Sequence, residues 1–376
     1  MRSKKKILVL LLVLCFTASS GFSQSLKKDP AFKKAAIIAV MQQVADWQIN
    51  NWTTEGFKKP KYNWTYGAAY AGIFELGRIG PQKNYLDFLI GIGNDLNWNT
   101  GKRRFFADDY CVAQTFSNLY ILYKDPKMIG PFKALADSII AQPHTESLSL
   151  SNRGVMDREW AWCDALFMGP PSLSYLATAT GDKKYLDIAN KLWWKTTDFL
   201  YDPVEHLYFR DESYFSKKEA NGKKVFWSRG NGWVLGGLVR VLENMPKNYP
   251  DRPKYIKLYK EMAARLATLQ QPDGSWHSSL LDPEAYPVKE TSGTGFYTYA
   301  LLWGLNNGLL DKNTYWPVVS KSWKVLTSSV HADGKLGYVQ QVGAAPAKVD
   351  ENSTETYGPG AFLLAGSQLL KYIKKN

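Results

Sequence analysis

The sequence predicts an all-α fold, a closed ring of six helical hairpins or (α/α)6 barrel, on three observations. Helical periodicity is common along the chain while strand-like alternation is rare. Amphipathic stretches alternate strictly with segments that are apolar or small on nearly every face. Turn signals (Gly181-Asp182, Gln271-Pro-Asp-Gly274, Ala332-Asp-Gly334) fall between them. A helix apolar all round must be enclosed, whereas one with a polar face serves as an outer layer. Six of each in alternation form a ring inside a ring. The enclosed helices then run parallel, with their N-terminal ends on one rim.

The chain opens on a secretory signal. Arg2, Lys4, Lys5 and Lys6 form a basic region, residues 7–16 an apolar one, and Gly21-Phe-Ser23 a small-x-small cleavage site. The apolar run is too short to span a bilayer. Residues 1–23 are therefore expected to be removed, leaving 24–376 as one domain that is exported, periplasmic or secreted, with no membrane attachment. Losing four basic residues and no acidic one lowers the net charge from +13 to +9.

The first outer helix is expected over 31–50, where Ile37, Val40, Met41, Val44 and Trp47 share a face. The first enclosed one follows from Trp64-Thr-Tyr66 into a run of small and apolar residues. Further outer helices are expected near 82–96, 126–142, 182–200, 251–270 and 312–330. The enclosed partners open at Asp108-Asp109, at Trp160 to Pro171, at Trp227-Ser-Arg-Gly-Asn-Gly-Trp233, at Glu290-Thr-Ser292, and at Thr354-Glu-Thr-Tyr357. Pro170 and Pro171 lack backbone N–H groups and suit a first turn, which puts Asp164 at or just before the opening of its helix. Residues 201–226 read as an excursion containing a short hairpin near Leu207 to Asp211, ending in a polar loop from Lys217 to Lys224.

The rim thus gathers Trp64, Asp108, Asp164, Trp227, Arg229 and Glu290 from distant parts of the chain. Helix N-termini carry partial positive charge, so such a rim favours an anion. Asp164 lies among tryptophans, Trp160 and Trp162, and the chain holds 14 Trp and 22 Tyr. Indole faces suit the apolar side of a pyranose, and a carboxyl group moves protons. The alternative for Asp164 is a plain helix cap.

Composition excludes other classes. No run of Lys and Arg interleaved with aromatics forms a nucleic-acid stripe. His144, His206, His277 and His331 are scattered without ligand spacing, so no metal and no cofactor is expected. Cys111 and Cys163, in apolar stretches, are expected to be buried free thiols. The oligomeric state leaves no mark in the sequence.

Trp162-Cys-Asp-Ala-Leu-Phe-Met168, Trp227-Ser-Arg-Gly-Asn-Gly-Trp233, and Glu290-Thr-Ser292 with Tyr299-Ala-Leu-Leu302 resemble glycoside hydrolase family 105. These are the unsaturated rhamnogalacturonyl hydrolases, related to the unsaturated glucuronyl hydrolases. The resemblance covers essentially the whole mature chain. It implies an (α/α)6 barrel acting on acidic unsaturated oligosaccharides left by polysaccharide lyases. Such an enzyme removes the terminal uronic acid by hydrating its C4=C5 bond. Asp164 matches the family's general acid/base. Trp162, Met168, Trp227, Arg229 and Trp233 match positions lining the sugar pocket. Asp108 or Asp109 matches a second site acid, and Trp64 or Tyr66 an aromatic on the first enclosed helix. Arg210 stands where the family often has His, with His206 as a displaced substitute. Arg229 is a candidate to fork onto the substrate carboxylate, and Glu290 a further rim contact or helix anchor. Two other classes fit these residues: an inverting glycosidase using two carboxylates, and a non-catalytic glycan-binding protein.

Overall fold

The computed structural model describes residues 29–79 and 84–375; the signal segment expected over residues 1–23 lies outside them. Twelve α-helices occupy the described residues: α1 Lys34–Thr54, α2 Trp64–Ile79, α3 Asn84–Asp95, α4 Ala113–Tyr123, α5 Gly130–Ile140, α6 Ala165–Thr180, α7 Lys184–Leu200, α8 Ser228–Asn244, α9 Arg252–Thr268, α10 Thr291–Asn306, α11 Lys312–Ser328 and α12 Tyr357–Lys375.

The even-numbered helices are the enclosed ones. Each packs on the next, α2 on α4, α4 on α6, α6 on α8, α8 on α10 and α10 on α12, and α12 returns to α2. The inner ring is therefore closed. Helices α1, α3, α7, α9 and α11 lie against α12, α2, α6, α8 and α10, while α5 leans on α7. The reason is visible in burial. From Thr65 to Gly77 every side chain of α2 is buried, and α10 is buried from Thr291 to Gly304. In α9 only Tyr255, Leu258, Tyr259, Met262, Ala263 and Leu266 are, one apolar stripe at helical spacing.

Two departures from the sequence reading matter. Pro170 and Pro171 lie in the second turn of α6 instead of the first. Their missing N–H groups orphan the carbonyls of Leu166 and Phe167. Gln114 of α4 repairs one, its Nε2 donating to Phe167 O at 2.7 Å. The other faces α8 at Gly237, where an added Cβ would stand 2.2 Å from Leu166 O; only glycine permits that approach. The second departure is that α4 begins at Ala113, so Asp108 precedes it in a 3-10 turn over Ala107–Tyr110.

The excursion contains a short antiparallel pair, β1 Tyr201–Asp202 and β2 Leu207–Tyr208, and Lys218 bridges to Lys224. A second pair, β3 Trp276–His277 and β4 Lys289–Glu290, leads directly into α10. Cys111 and Cys163 are buried and unpaired.

Candidate active site

A cavity of about 300 Å³ opens at the N-terminal rim, lined by Trp64, Asp108, Trp162, Asp164, Met168, Arg210, Val342, Gly343 and Ala344. Its residues come from the start of α2, the turn before α4, the entry of α6, the strand excursion, and the loop before α12. These are the ends that a ring of parallel helices brings together.

Asp164 occupies the N-cap position of α6 with helical φ and ψ, and its side chain makes no capping hydrogen bond. The carboxylate is left for the cavity, against the plain-cap alternative. It accepts from the Cys163 thiol at 3.4 Å and lies 3.8 Å from Arg210 Nε. Burial raises its pKa, and Arg210 and Arg229 oppose that rise. Cys163 stays a thiol, since burial first and Asp164 second push it well up.

Asp108 lines the same cavity, with its Oδ1 sealed from solvent and lacking a hydrogen-bond partner. Burial, followed by the charge of Asp164, raises its pKa to about 8. Asp109 does not line the cavity. Arg103 takes it bidentately, Nη2 to Oδ1 at 2.7 Å and Nε to Oδ2 at 3.2 Å. Of the two acids the sequence left open, Asp108 is the one that lines this cavity.

A carboxyl that holds its proton to about pH 8 when folded releases it near pH 4 when unfolded. Between those values the native state binds more protons, so stability falls as pH rises across the window. Asp108→Asn has no such proton. It is expected to flatten this slope and to melt above the parent at pH 8, as followed by thermal denaturation at several pH values. An unchanged slope would place the retained proton on another group.

Arg210 is the cation of the lining. Its Nη1 binds Asp211 at 2.6 Å while its Nε, buried, has no hydrogen-bond partner. Its own backbone carbonyl accepts from Cys163 N at 2.8 Å, tying the excursion to the entry of α6. His206 is not a substitute for it: that ring sits in the β1–β2 turn against Tyr201. Trp162 stacks on Phe106 at 5.0 Å, and Trp64 on Tyr357 at 5.5 Å.

Five further sequence candidates stand outside the lining. Tyr66 packs against Trp52 and Phe57, and its hydroxyl accepts from Lys59 N. Trp233 lies beneath Trp64, edge-on at 5.8 Å, and packs against Phe167 and Phe296. The other three converge on Gln340. Trp227 Nε1 donates to its Oε1, Glu290 Oε1 accepts from its N–H, and Arg229 Nη1 donates to its carbonyl at 2.9 Å. Arg229 Nη2 takes the next carbonyl, Gln341 O, at 3.0 Å, and the guanidinium is sandwiched between the rings of Trp227 and Tyr357. Glu290 also caps α10, accepting from Ser292 N and Gly293 N. The fork expected for a substrate is spent on backbone, because the loop carrying Val342 to Ala344 has no regular structure to hold it. Sequence reasoning missed Gln340 and this wall, which carry no charged or aromatic signal.

The same motif supplies Asn231, whose Oδ1 and Nδ2 clamp the N–H and C=O of Tyr208, two residues before Arg210. Gly230 lets Trp227 and Cys163 close in, since a Cβ there would lie 2.9 Å from the indole and 3.2 Å from Sγ.

Comparisons with known proteins agree with this architecture. An unsaturated 3S-rhamnoglycuronyl hydrolase of Formosa agariphila is 40% identical over 375 residues, covering 96% of this chain and 97% of its own. A glycosyl hydrolase family 88 structure from Bacteroides vulgatus superposes with a TM-score of 0.80 at 32% identity, over 90% of this chain and 99% of that one. A structure described as a polysaccharide lyase gives 0.82, also at 32% identity, over 91% and 98%. The model of Glycosyl Hydrolase Family 88 matches residues 40–373, and the chain belongs to that family.

Proposed function

We propose that this glycoside hydrolase removes a Δ4,5-unsaturated uronic acid from the non-reducing end of rhamnose-containing oligosaccharides made by polysaccharide lyases. The observation that carries the reading is the pairing, in one aromatic-walled cavity, of two carboxyl groups of raised pKa with Arg210. The names and coverage of its relatives support it.

The C4=C5 bond of such a sugar is an enol ether through the ring oxygen. Burial favours a proton on each carboxyl, and the charge of Asp164 adds to this at Asp108. Asp164 delivers its proton to C4, leaving an oxocarbenium centre at C5. Water adds to C5 while the Asp164 carboxylate takes its proton. The resulting hemiketal opens by breaking the C5–ring oxygen bond, which gives a ketone at C5 and a hemiacetal at C1. That hemiacetal collapses to an aldehyde and releases the shortened chain. Arg210 holds the uronate carboxylate, and Asp108 accepts or donates a hydrogen bond to the substrate. Trp64 and Trp162 take the apolar ring face and exclude bulk water.

The basic and apolar start of the chain supports export, with the substrate met outside the cytoplasm. The function is tested by incubating the protein with lyase-generated oligosaccharides and following the ultraviolet absorbance of the double bond. Loss of absorbance is expected. A lyase would raise it on intact polysaccharide, and an inverting glycosidase would cleave saturated oligosaccharides without changing it.

A further inference from the structure

A second cavity, about 410 Å³, lies on the same rim and is absorbed by none of the chemistry above. Trp47, Gln48, Lys58, Lys59, Thr354 and Glu355 line it. It is the immediate neighbour of the catalytic cavity along two stretches of chain. Thr65 and Tyr66 line it where Trp64 lines the other, and Gln341 lines it where Val342 does.

Some of its polar groups are unspent. Gln48 lines it at only 2% exposure, with no side-chain hydrogen bond to a described residue. Thr354 Oγ1 is likewise buried and unpartnered. Lys58 and Lys59 lie in the loop after α1, where no carboxylate of the described residues pairs with them. Trp47 is fixed by its Nε1, which donates to Asp333 Oδ2 at 3.0 Å, and its ring stays half-buried. Amide, hydroxyl and carboxylate beside an indole face can take sugar hydroxyls, and two free ammonium groups call for an anion.

We propose that this cavity is a second saccharide subsite, holding an anionic pyranose of the same oligosaccharide further toward its reducing end. The anion is a carboxylate or a sulfate ester, met by Lys58 and Lys59. Trp47 supplies the stacking face, Gln48 and Thr354 bind hydroxyls, and Glu355 accepts from a diol. The proposal rests on the hydrolase reading for its substrate, but not for its measurement.

The test compares the parent with the double variant Lys58→Ala/Lys59→Ala and with Gln48→Met. Substrates are an unsaturated disaccharide and unsaturated tetrasaccharides that are neutral, carboxylated or sulfated beyond the first sugar. The lysine variant is expected to lose about tenfold in kcat/KM, through KM, on an anionic tetrasaccharide. It should keep parental values on the disaccharide, and the carboxylated and sulfated arms identify the anion. Gln48→Met, which keeps volume without the amide, is expected to weaken all tetrasaccharides. Equal losses on disaccharide and tetrasaccharide, or no loss on either, would overturn the subsite. If the parent turns over no unsaturated sugar, the hydrolase reading fails alone. Tryptophan fluorescence titration with a saturated anionic tetrasaccharide then decides: weaker binding by the lysine variant supports the subsite, and equal affinity overturns it.

Discussion

Asp164→Asn is expected to fold, to bind unsaturated oligosaccharide, and to bleach the double bond about 10²–10⁴-fold more slowly than the parent. The amide preserves shape but neither gives C4 its proton nor receives one from water. The side chain makes no capping bond in α6, so the change removes chemistry without removing a helix terminus. Binding should persist because Trp64, Trp162 and Arg210 remain. The effect belongs in kcat, since proton transfer is an event of the transition state. An inverting glycosidase would lose comparable activity on saturated substrates when either Asp108 or Asp164 is changed. A binding protein would lose only about 0.5–1.5 kcal/mol of affinity, one hydrogen bond's worth. Bleaching by Asp164→Asn at the parental rate would remove this residue from the chemistry and leave Asp108 as the acid.

The same substitution shows what the sequence made legible. Asp164 was found because a lone acid among tryptophans at a helix entry is conspicuous, and the structure places it in the cavity with Trp64, Asp108, Trp162, Met168 and Arg210. The barrel was legible because enclosure leaves a local mark: α2 and α10 tolerate almost no polar face, while α9 shows one stripe. Positions fixed by partners far away were not legible. Trp227, Arg229 and Glu290 look like ligand contacts in a linear reading, since Arg and Trp are common choices for sugars and acids. Their actual partner is Gln340, 113 residues from Trp227 and 50 from Glu290. A loop that exposes Val342, Gly343 and Ala344 carries no periodicity, so its wall of the cavity left no trace. Pro170 and Pro171 show the same limit in reverse. Their position one turn too deep is tolerated because Gln114 and Gly237 come from other helices.

Arg229→Lys carries the second large effect, and it separates holding a loop from holding a substrate. The guanidinium is wholly buried with no carboxylate of the described residues at ion-pair distance. Two carbonyls, Gln340 O and Gln341 O, and the faces of Trp227 and Tyr357 compensate its charge. Lysine keeps the charge, but a single ammonium lacks the planar fork that reaches both carbonyls and fills the gap between the rings. Losing one charge-assisted bond costs about 1.5–3 kcal/mol, which corresponds to a drop of about 2–4 °C in melting temperature for a domain of this size. With Gln340 loosened, the wall from Val342 to Ala344 should widen, so KM rises severalfold while kcat per folded molecule stays close to the parent's. A residue binding the uronate carboxylate directly would behave in the opposite way, with an unchanged melting temperature and a large loss in kcat/KM. Thermal denaturation read beside steady-state kinetics on one unsaturated disaccharide distinguishes them. If melting is unchanged while kcat/KM collapses, the carboxylate contact moves from Arg210 to Arg229.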